Sequence, residues 1–308
     1  MFVSDNLETN KRILSDTFKD CGDIIIRPFK AGYDKNIDML LVYIDNIVST
    51  DVIENSIMTN LMNRTRVTSD INILDKLMEE AISIGEISEE NDFENLFTSI
   101  LLGDTVIFAD GNDKALVAST KGWPTRGVPT AENEVVVQGP KDAFAESVSS
   151  NVVLMRRRIR DTNLKVVRSK IGRRSKTDVA VMYIDGVARP EIVEKIKKNL
   201  KNINVDAILD AGYIEQMSER KWWSPFPQVQ MTERPDKASA ALLEGRIAIA
   251  VDNSPLVLML PSTLNTFFQA AEDYYDRWEI MSFIRIIRYI CGFFAFSLPA
   301  LYIAITLF

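Results

Sequence analysis

Two kinds of apolar pattern alternate along the chain. Continuous apolar runs such as Met39–Ile44 and Ile247–Val251 are typical of strands that are buried on both faces. Apolar residues at every third or fourth position predict an amphipathic helix that packs against such strands. The clearest example is the stripe Phe144, Val148, Val152, Met155 and Ile159. Together the two patterns predict a mixed α/β fold.

In the first half of the chain, the pattern predicts strands, then helices, then a hairpin. The candidates are strands Ile24–Arg27 and Met39–Ile44, helices Asp51–Arg66, Asp70–Ile84 and Ser88–Leu102, and hairpin strands Val106–Ala109 and Lys114–Ser119. We expect Ser88 to be the N-cap of the last helix, because two glutamates follow it in the first turn.

The second half predicts a similar order. The candidates are helices that begin at Pro190, Val205 and Pro235, and hairpin strands Ile247–Val251 and Leu256–Leu260. Pro235 suits the first position of a helix, and Asp236 suits the positive end of the helix dipole. Gly245 suits the position just after the last helical turn.

The two halves share residues at a nearly constant spacing. The run Asp38–Asp45 ends in Tyr-Ile-Asp, and so does Asp178–Asp185, which lies 140 residues later. Gly103 and Asp110 recur 142 residues later beside the second hairpin. This regularity predicts two tandem lobes, residues 1–130 and 131–262, that arose by duplication. Chance agreement between short apolar strands is the alternative.

Composition excludes several classes of chemistry. The chain has no histidine, which removes the usual general base and the commonest metal ligand. Its cysteines, Cys21 and Cys291, form no pattern typical of a disulfide framework or a zinc site. No glycine-rich phosphate-binding motif occurs. We therefore expect no metal, no cofactor and no enzymatic activity, although nothing rules out a hydrolase that uses two of the 43 acidic residues.

A basic stretch from Arg156 to Lys176 contains ten lysines and arginines against one acid, Asp161. It contains no aromatic residue on which a nucleic-acid base could stack, so we expect no nucleic-acid partner. A solvated face or a contact with anionic membrane lipid is the preferred interpretation.

The last twenty residues, Tyr289–Phe308, carry no charge and match the roughly 30 Å thickness of a bilayer core. A membrane helix is predicted, and the buried helix of a soluble protein is the alternative. Aromatic residues and arginines precede it, which is typical of a membrane interface, and the arginines predict that both lobes lie on the cytoplasmic side. Residues 263–308 are therefore expected to be an interfacial segment and a first transmembrane helix, with the chain truncated after it.

Two stretches are candidates for binding. Asp45 and Asp185 end apolar strands, where α/β sheets often expose a ligand crevice, although such carboxylates also commonly cap the following turn. The loop Ser224–Gln228 contains Pro225 and Pro227, which exclude a helix and stiffen the chain. Aromatic residues in and beside this loop favour docking on membrane or another chain, and a structural brace is the alternative.

Six short blocks occur in an order and spacing that is far more specific than any one of them. They are GPKDAF at 139–144, SPFPQ at 224–228, TERPDK at 232–237, LLEGR at 242–246, VDNSP at 251–255 and EDYYDRW at 272–278. On these blocks the chain resembles the A subunit of the GerA-type nutrient germinant receptors of bacterial spores. The residues that these blocks mark as an interaction or structural motif are Pro225, Phe226, Pro227, Gln228, Glu233, Arg234, Pro235, Asp236, Lys237, Gly245, Arg246 and Asp252.

The resemblance implies a subunit of a multisubunit receptor in the inner spore membrane, with its lobes on the spore-core side. Such a receptor would sense nutrients together with sister subunits and trigger ion release. Membrane lipid and further copies of this chain are the other expected partners. Two alternatives stay open. One is the paralogue of the family that is associated with the dipicolinate channel, and the other is a cytoplasmic two-lobed module that binds a small ligand in its cleft.

Overall fold

The computed structural model of the chain describes residues 1–32, 37–63, 86–122, 129–136, 138–218, 227–275 and 277–307. Within these ranges there are two five-stranded antiparallel sheets, followed by one long helix. The predicted mixed α/β fold with an apolar helix at its end is confirmed. The exact boundaries between the lobes stay a prediction.

The first sheet lies between two layers of helices. Its strands are β1 (Ile24–Ala31), β2 (Ile37–Ile44), β3 (Ile87–Glu90), β4 (Thr105–Ala109) and β5 (Ala115–Ala118), in the order β1-β2-β4-β5-β3. The helices are α1 (Leu7–Thr17), α2 (Thr50–Val52), a π-helical stretch Ile53–Met58, α3 (Thr59–Asn63) and α4 (Phe93–Leu102). Core residues of α1 and α4 cover one face of the sheet, and those of Ile53–Met58 and α3 cover the other. Burial on both faces explains why the inner strands β2 and β4 are nearly continuous apolar runs.

The second sheet has the same order of strands. They are β6 (Leu164–Ile171), β7 (Thr177–Ile184), β8 (Gln230–Thr232), β9 (Ile247–Val251) and β10 (Val257–Leu260), in the order β6-β7-β9-β10-β8. The helices are α5 (Val148–Arg158), α6 (Pro190–Lys201), α7 (Ala211–Ser218) and α8 (Pro235–Leu243). Helices α5 and α8 pack on one face, and α6 and α7 pack on the other.

The strand register also repeats between the lobes. Ile24 lies opposite Ile44 in the first sheet, and Leu164 lies opposite Ile184 in the second, a shift of 140 residues at both positions. The tyrosines of the two Tyr-Ile-Asp sequences therefore occupy the same place in equivalent strands. This agrees with the internal repeat that the spacing predicts.

Polar contacts at the start of each lobe repeat as well. Asn10 and Asn151 are both buried, and each amide side chain hydrogen-bonds to the backbone six residues earlier. Asp110 and Asp252 each accept a hydrogen bond from the first backbone N–H of the first helix in their lobe, at 3.1 Å in both. Both aspartates thus satisfy a helix N-terminus that has no partner inside the helix.

The predicted helix over Ser88–Leu102 is wrong at its start. Residues Ile87–Glu90 form β3, and α4 begins at Phe93 with Asp92 as its N-cap. Ser-Glu-Glu favours a helix start locally, but the pairing of these residues with β5 overrides that preference. The sequence also does not predict β8, the equivalent edge strand of the second sheet. Such short strands form because they pair with strands that lie far away in the chain.

Helix α5 lies between the two lobes, which corrects the interpretation of the basic stretch at its first residue, Arg156. Val152 belongs to the core of the second lobe, whereas Val153 packs into the core of the first. Arg156 is fully buried and forms a bidentate ion pair with Asp23 of the first lobe, at 2.7 and 3.0 Å. Arg156 is therefore neither a solvated residue nor a lipid contact, because its helix is covered by the neighbouring lobe.

After the short helix α9 (Leu264–Phe267) comes the last helix, α10 (Trp278–Leu307). It is the one helix among the described residues that is long and apolar enough to cross a membrane. Its apolar window has a mean hydropathy of 1.7, and none of that window is buried against the rest of the protein. A helix of this length spans about 45 Å, more than the roughly 30 Å of a bilayer core. Because none of the window is buried, the alternative of a buried helix in a soluble protein is not supported.

Some sequence predictions fall outside the described residues. These are the helix Asp70–Ile84 and the proline loop positions Pro225 and Phe226. Pro227, at the end of the loop, is exposed, and Gln228 is half-buried.

Candidate functional site

Arg234 is the centre of a buried polar cluster in the turn before α8. Its side chain is fully buried, and the guanidinium donates to both carboxylate oxygens of Asp236, at 3.1 and 2.7 Å. It also donates to the carbonyl oxygens of Glu134, at 3.1 Å, and Pro140, at 3.0 Å. The chain between the two lobes covers this ion pair through Glu134 and Pro140, and we call its residues 129–136 and 138–142 the connector. A buried bidentate pair with further backbone partners fixes its geometry firmly.

Glu233 and Lys237, which flank the Arg234–Asp236 pair in the sequence, attach the connector to the second lobe. The carboxylate of Glu233 accepts hydrogen bonds from the backbone N–H groups of Asn133 and Glu134, each at 2.6 Å. Lys237 forms an ion pair with the carboxylate of Glu134 at 2.5 Å, and the hydroxyl of Thr232 also donates to the Glu134 carboxylate. Burial acts against ionisation of Glu233, but the two backbone donors hold the pKa of its carboxyl below the ordinary value.

The Tyr275 hydroxyl connects this cluster to the segment before α10, which we call the junction segment (residues 263–275). It donates a hydrogen bond to the carboxylate of Asp236. Burial opposes ionisation of Asp236, but the hydrogen bonds from Arg234 and Tyr275 hold the pKa of its carboxyl below the ordinary value. Burial and the Asp236 carboxylate raise the pKa of Tyr275 to about 12. The tyrosine is therefore a stable donor over the physiological pH range.

Gly139 admits the ring of Tyr275. A Cβ atom at this position would lie 2.8 Å from the ring, and the backbone has a φ of +112°. Both the contact and the backbone angle require a glycine. The first and last of the six sequence blocks therefore meet in the structure, and the block around Asp236 lies against both.

The junction segment is also attached to α10. The side chain of Asp273 is fully buried and accepts hydrogen bonds from Arg288, at 2.6 Å, and Arg285, at 3.2 Å. The ring of Phe268 packs on Tyr289 with centroids 5.0 Å apart, and a Cβ at Gly292 would lie 2.5 Å from that ring. The first turns of α10 are thus bound to the protein by charge pairs and by aromatic packing.

A small cavity of about 140 Å³ lies between α8 and the junction segment. Its lining includes Asp236, Lys237, Arg246 and Tyr275. Arg246 donates to Gln230, at 3.0 Å, and to backbone carbonyls beside β10. The structure therefore brings Glu233, Arg234, Asp236, Lys237 and Arg246 of the predicted motif to one place.

The remaining predicted positions have separate roles. Pro235 occupies the first turn of α8, and Gly245 follows its end with a φ of +85°, both as the sequence predicts. Asp252 lies away from the cluster, where it caps α5. Asp45 accepts a hydrogen bond from the side chain of Asn46, and Asp185 accepts one from the next backbone N–H. The Asp185 contact matches the turn-capping alternative, whereas the Asp45 contact is with a side chain and does not. Neither residue lines the cavity described above or the larger one described next.

A larger cavity, of about 650 Å³, lies beside β6, β7 and α6. Four cations and two acids border it: Lys170, Arg173, Lys197, Lys201, Asp20 and Glu194. Lys197 lies 3.2 Å from the hydroxyl of Tyr183 and 3.6 Å from Asp20 of the first lobe. The sequence analysis does not identify this cavity, because residues from three elements and both lobes form it. Among the described residues, no group of three or more potential metal ligands occurs.

Comparison with known proteins decides the family. The family model described as Bacillus/Clostridium GerA spore germination protein matches residues 12–308. The chain belongs to this family. Spore germination protein KA of Bacillus subtilis (strain 168) is 36% identical over 311 residues, covering 100% of this chain and 56% of the relative. Spore germination protein A1 of the same strain is 41% identical, over 68% of this chain and 44% of the relative.

A solved structure also matches. The N-terminal domain of the A subunit of the Bacillus megaterium spore germinant receptor GerK3 aligns with a TM-score of 0.68 and 34% sequence identity. The alignment covers 86% of this chain and 98% of that domain. This GerA-family chain therefore has the fold of that N-terminal domain, and it spans less than two thirds of the length of the curated relatives named above.

Proposed function

We propose that this chain is the A-type subunit of a nutrient germinant receptor in the inner spore membrane. Its lobes would lie on the spore-core side, and α10 would be its first transmembrane helix. Together with sister subunits, the chain would respond to nutrients by triggering ion release, and we assign it no catalytic step. The observation that carries the proposal is the alignment with nearly the whole N-terminal domain of a receptor A subunit.

The test is a clean deletion of the gene in the spore-forming organism that encodes it. Spores without the gene should lose the response to at least one nutrient, measured as the fall in optical density and the release of ions. Germination by a treatment that bypasses nutrient receptors should be unchanged. Normal responses to every nutrient tested, alone and in mixtures, would contradict the receptor function.

An accessory role is the second candidate within the family. Stage V sporulation protein AF of Bacillus subtilis (strain 168) is 32% identical over 83% of this chain. The accessory alternative associated with the dipicolinate channel predicts that the chain co-purifies with that channel and that its gene has no receptor genes beside it. The receptor proposal predicts co-purification with B- and C-type subunits.

The large cavity favours a third candidate, direct binding of a small ligand by the second lobe. Its walls combine apolar residues such as Val181 and Leu200 with four cations, which suits a small anion that has an apolar part. Titration of the lobes with candidate nutrients, followed by the NMR shifts of residues around Lys197, tests this directly. Lys201→Glu should weaken such binding, whereas Lys30→Glu in the first lobe should not.

A further inference from the structure

The junction segment is attached to the second lobe and to α10 through groups that are themselves buried. At the lobe end, Tyr275 donates to Asp236, whose other partner is the fully buried Arg234. At the helix end, the fully buried Asp273 accepts from Arg285 and Arg288. Water does not compete well for buried charge pairs, so these contacts hold their geometry better than surface ion pairs do.

The two attachments lie next to each other in the chain. Asp273 belongs to the 3-10 turn Ala271–Tyr274, and Tyr275 follows it directly. Two residues of backbone span at most about 7 Å, so a shift of one attachment moves the other. The turn is short and hydrogen-bonded, with the N–H of Tyr275 donating to the carbonyl of Glu272. The turn is therefore too short to absorb a movement of one attachment without moving the other.

Space for a movement exists on the side of α8. The cavity of about 140 Å³ adjoins Tyr275 on the side of α8. On another side the ring is in contact with Gly139, where even one added carbon would collide. A rearrangement around Asp236 would therefore shift Tyr275 along the cavity.

We propose that the junction segment is the mechanical connection through which the second lobe and the membrane helix move together. Tyr275 is the positioning residue on the lobe side, and Asp273 is the positioning residue on the helix side. A change in the second lobe that breaks or redirects the Tyr275–Asp236 hydrogen bond alters the tilt of α10. The relevance of this movement to germination rests on the proposed receptor function, but the connection itself does not.

The experiment measures the distance between lobe and helix in the full chain, reconstituted in phospholipid vesicles. Spin labels are placed at exposed Glu191 on α6 and exposed Ser282 on α10, in a Cys291→Ser background that keeps the buried Cys21. The parent should give one narrow distance distribution. Tyr275→Phe and Asp273→Asn should each lose that single narrow peak.

Matched controls separate coupling from general damage. Glu272→Gln removes the same charge one residue away at an exposed position, and Tyr213→Phe removes an exposed tyrosine hydroxyl of the second lobe. Both controls should keep the narrow peak. If Asp273→Asn also lowers the unfolding midpoint of the lobes, Arg288→Gln replaces it, because that change lies on the helix. Narrow distributions in Tyr275→Phe and in the helix-side variant would overturn the proposal.

Spores provide the second readout. Tyr275→Phe should reduce the nutrient response at normal protein abundance, and Tyr213→Phe should not. If deletion of the gene leaves germination unchanged, the receptor function is wrong, whereas the distance measurements still decide the connection. If deletion abolishes a response that Tyr275→Phe leaves normal, the connection has no role in signalling and this inference is wrong.

Discussion

The two lobes share one framework, the same order of strands in the sheet, but the turn before the last helix carries different charged groups in each lobe. In the first lobe, the turn before α4 has Asp92 as N-cap and Glu94 exposed to solvent, and Asp92 forms an ion pair with the chain's N-terminus. In the second lobe, the turn before α8 has Arg234 as N-cap and Asp236 beside it, both covered by the connector. The framework alone therefore does not determine function. What distinguishes the second lobe is a set of charged residues that join it to the membrane helix.

The largest predicted effect concerns the contact between the lobes. Asp23→Ala leaves Arg156 buried without its ion-pair partner, which should cost about 3–5 kcal/mol of unfolding free energy. Asp38→Ala in the same lobe removes an exposed ion pair with Lys30 and should cost less than about 1 kcal/mol. Urea unfolding of a fragment that ends before α10, residues 1–277, measures both. Equal small losses would show that the lobes do not depend on each other.

The second prediction compares equivalent core positions. Phe144 and Val3 are both buried, and each donates its backbone N–H to the chain just before the last helix of its lobe. Phe144→Ala should cost about 3–5 kcal/mol because it removes a large, fully buried ring. Val3→Ala removes far less volume and should cost clearly less. The same urea experiment ranks them, and the reverse ranking would mean that the stripe beginning at Phe144 is not part of the core.

Residues with local partners are the ones that sequence reasoning predicts well. Pro235 lies at the start of α8 and Gly245 lies just after its end, as expected. The internal repeat follows from the spacing of the Tyr-Ile-Asp sequences. Contacts between residues that are far apart in the chain are not predicted from the sequence. The sequence marks Arg156 only as one cation in a basic run, because its partner Asp23 lies 133 residues away. The candidate site follows the same rule, since the six blocks identify its residues but not that Tyr275 contacts Asp236.

The third prediction concerns how the stability contributed by the turn before α8 depends on pH. The folded-state pKa of Asp236 lies below its ordinary value of 3.8, so its contribution to stability is present above that value and is lost as the pH falls through the folded-state pKa. Asp236→Asn should therefore be less stable at neutral pH and should lose less stability below about pH 4. Glu94→Gln, at the equivalent exposed position, removes no buried ion pair and should leave the stability of fragment 1–277 nearly unchanged at neutral pH. A profile for Asp236→Asn that runs parallel to the parent's would contradict the buried pair.

The smallest predicted effect tests where the lobes are alike. Asp110 and Asp252 each accept a hydrogen bond from the first N–H of a helix at 3.1 Å, so removal of either carboxylate leaves one helix N-terminus without its partner. Asp110→Ala and Asp252→Ala should each cost about 1 kcal/mol, as is usual for the loss of a helix cap. The two costs should agree because the contact is the same in both lobes, and neither variant should disturb the distance between the second lobe and α10. A much larger cost for Asp252→Ala would show that this aspartate serves the second lobe beyond its role as a cap, and the asymmetry between the lobes would then extend into their shared framework.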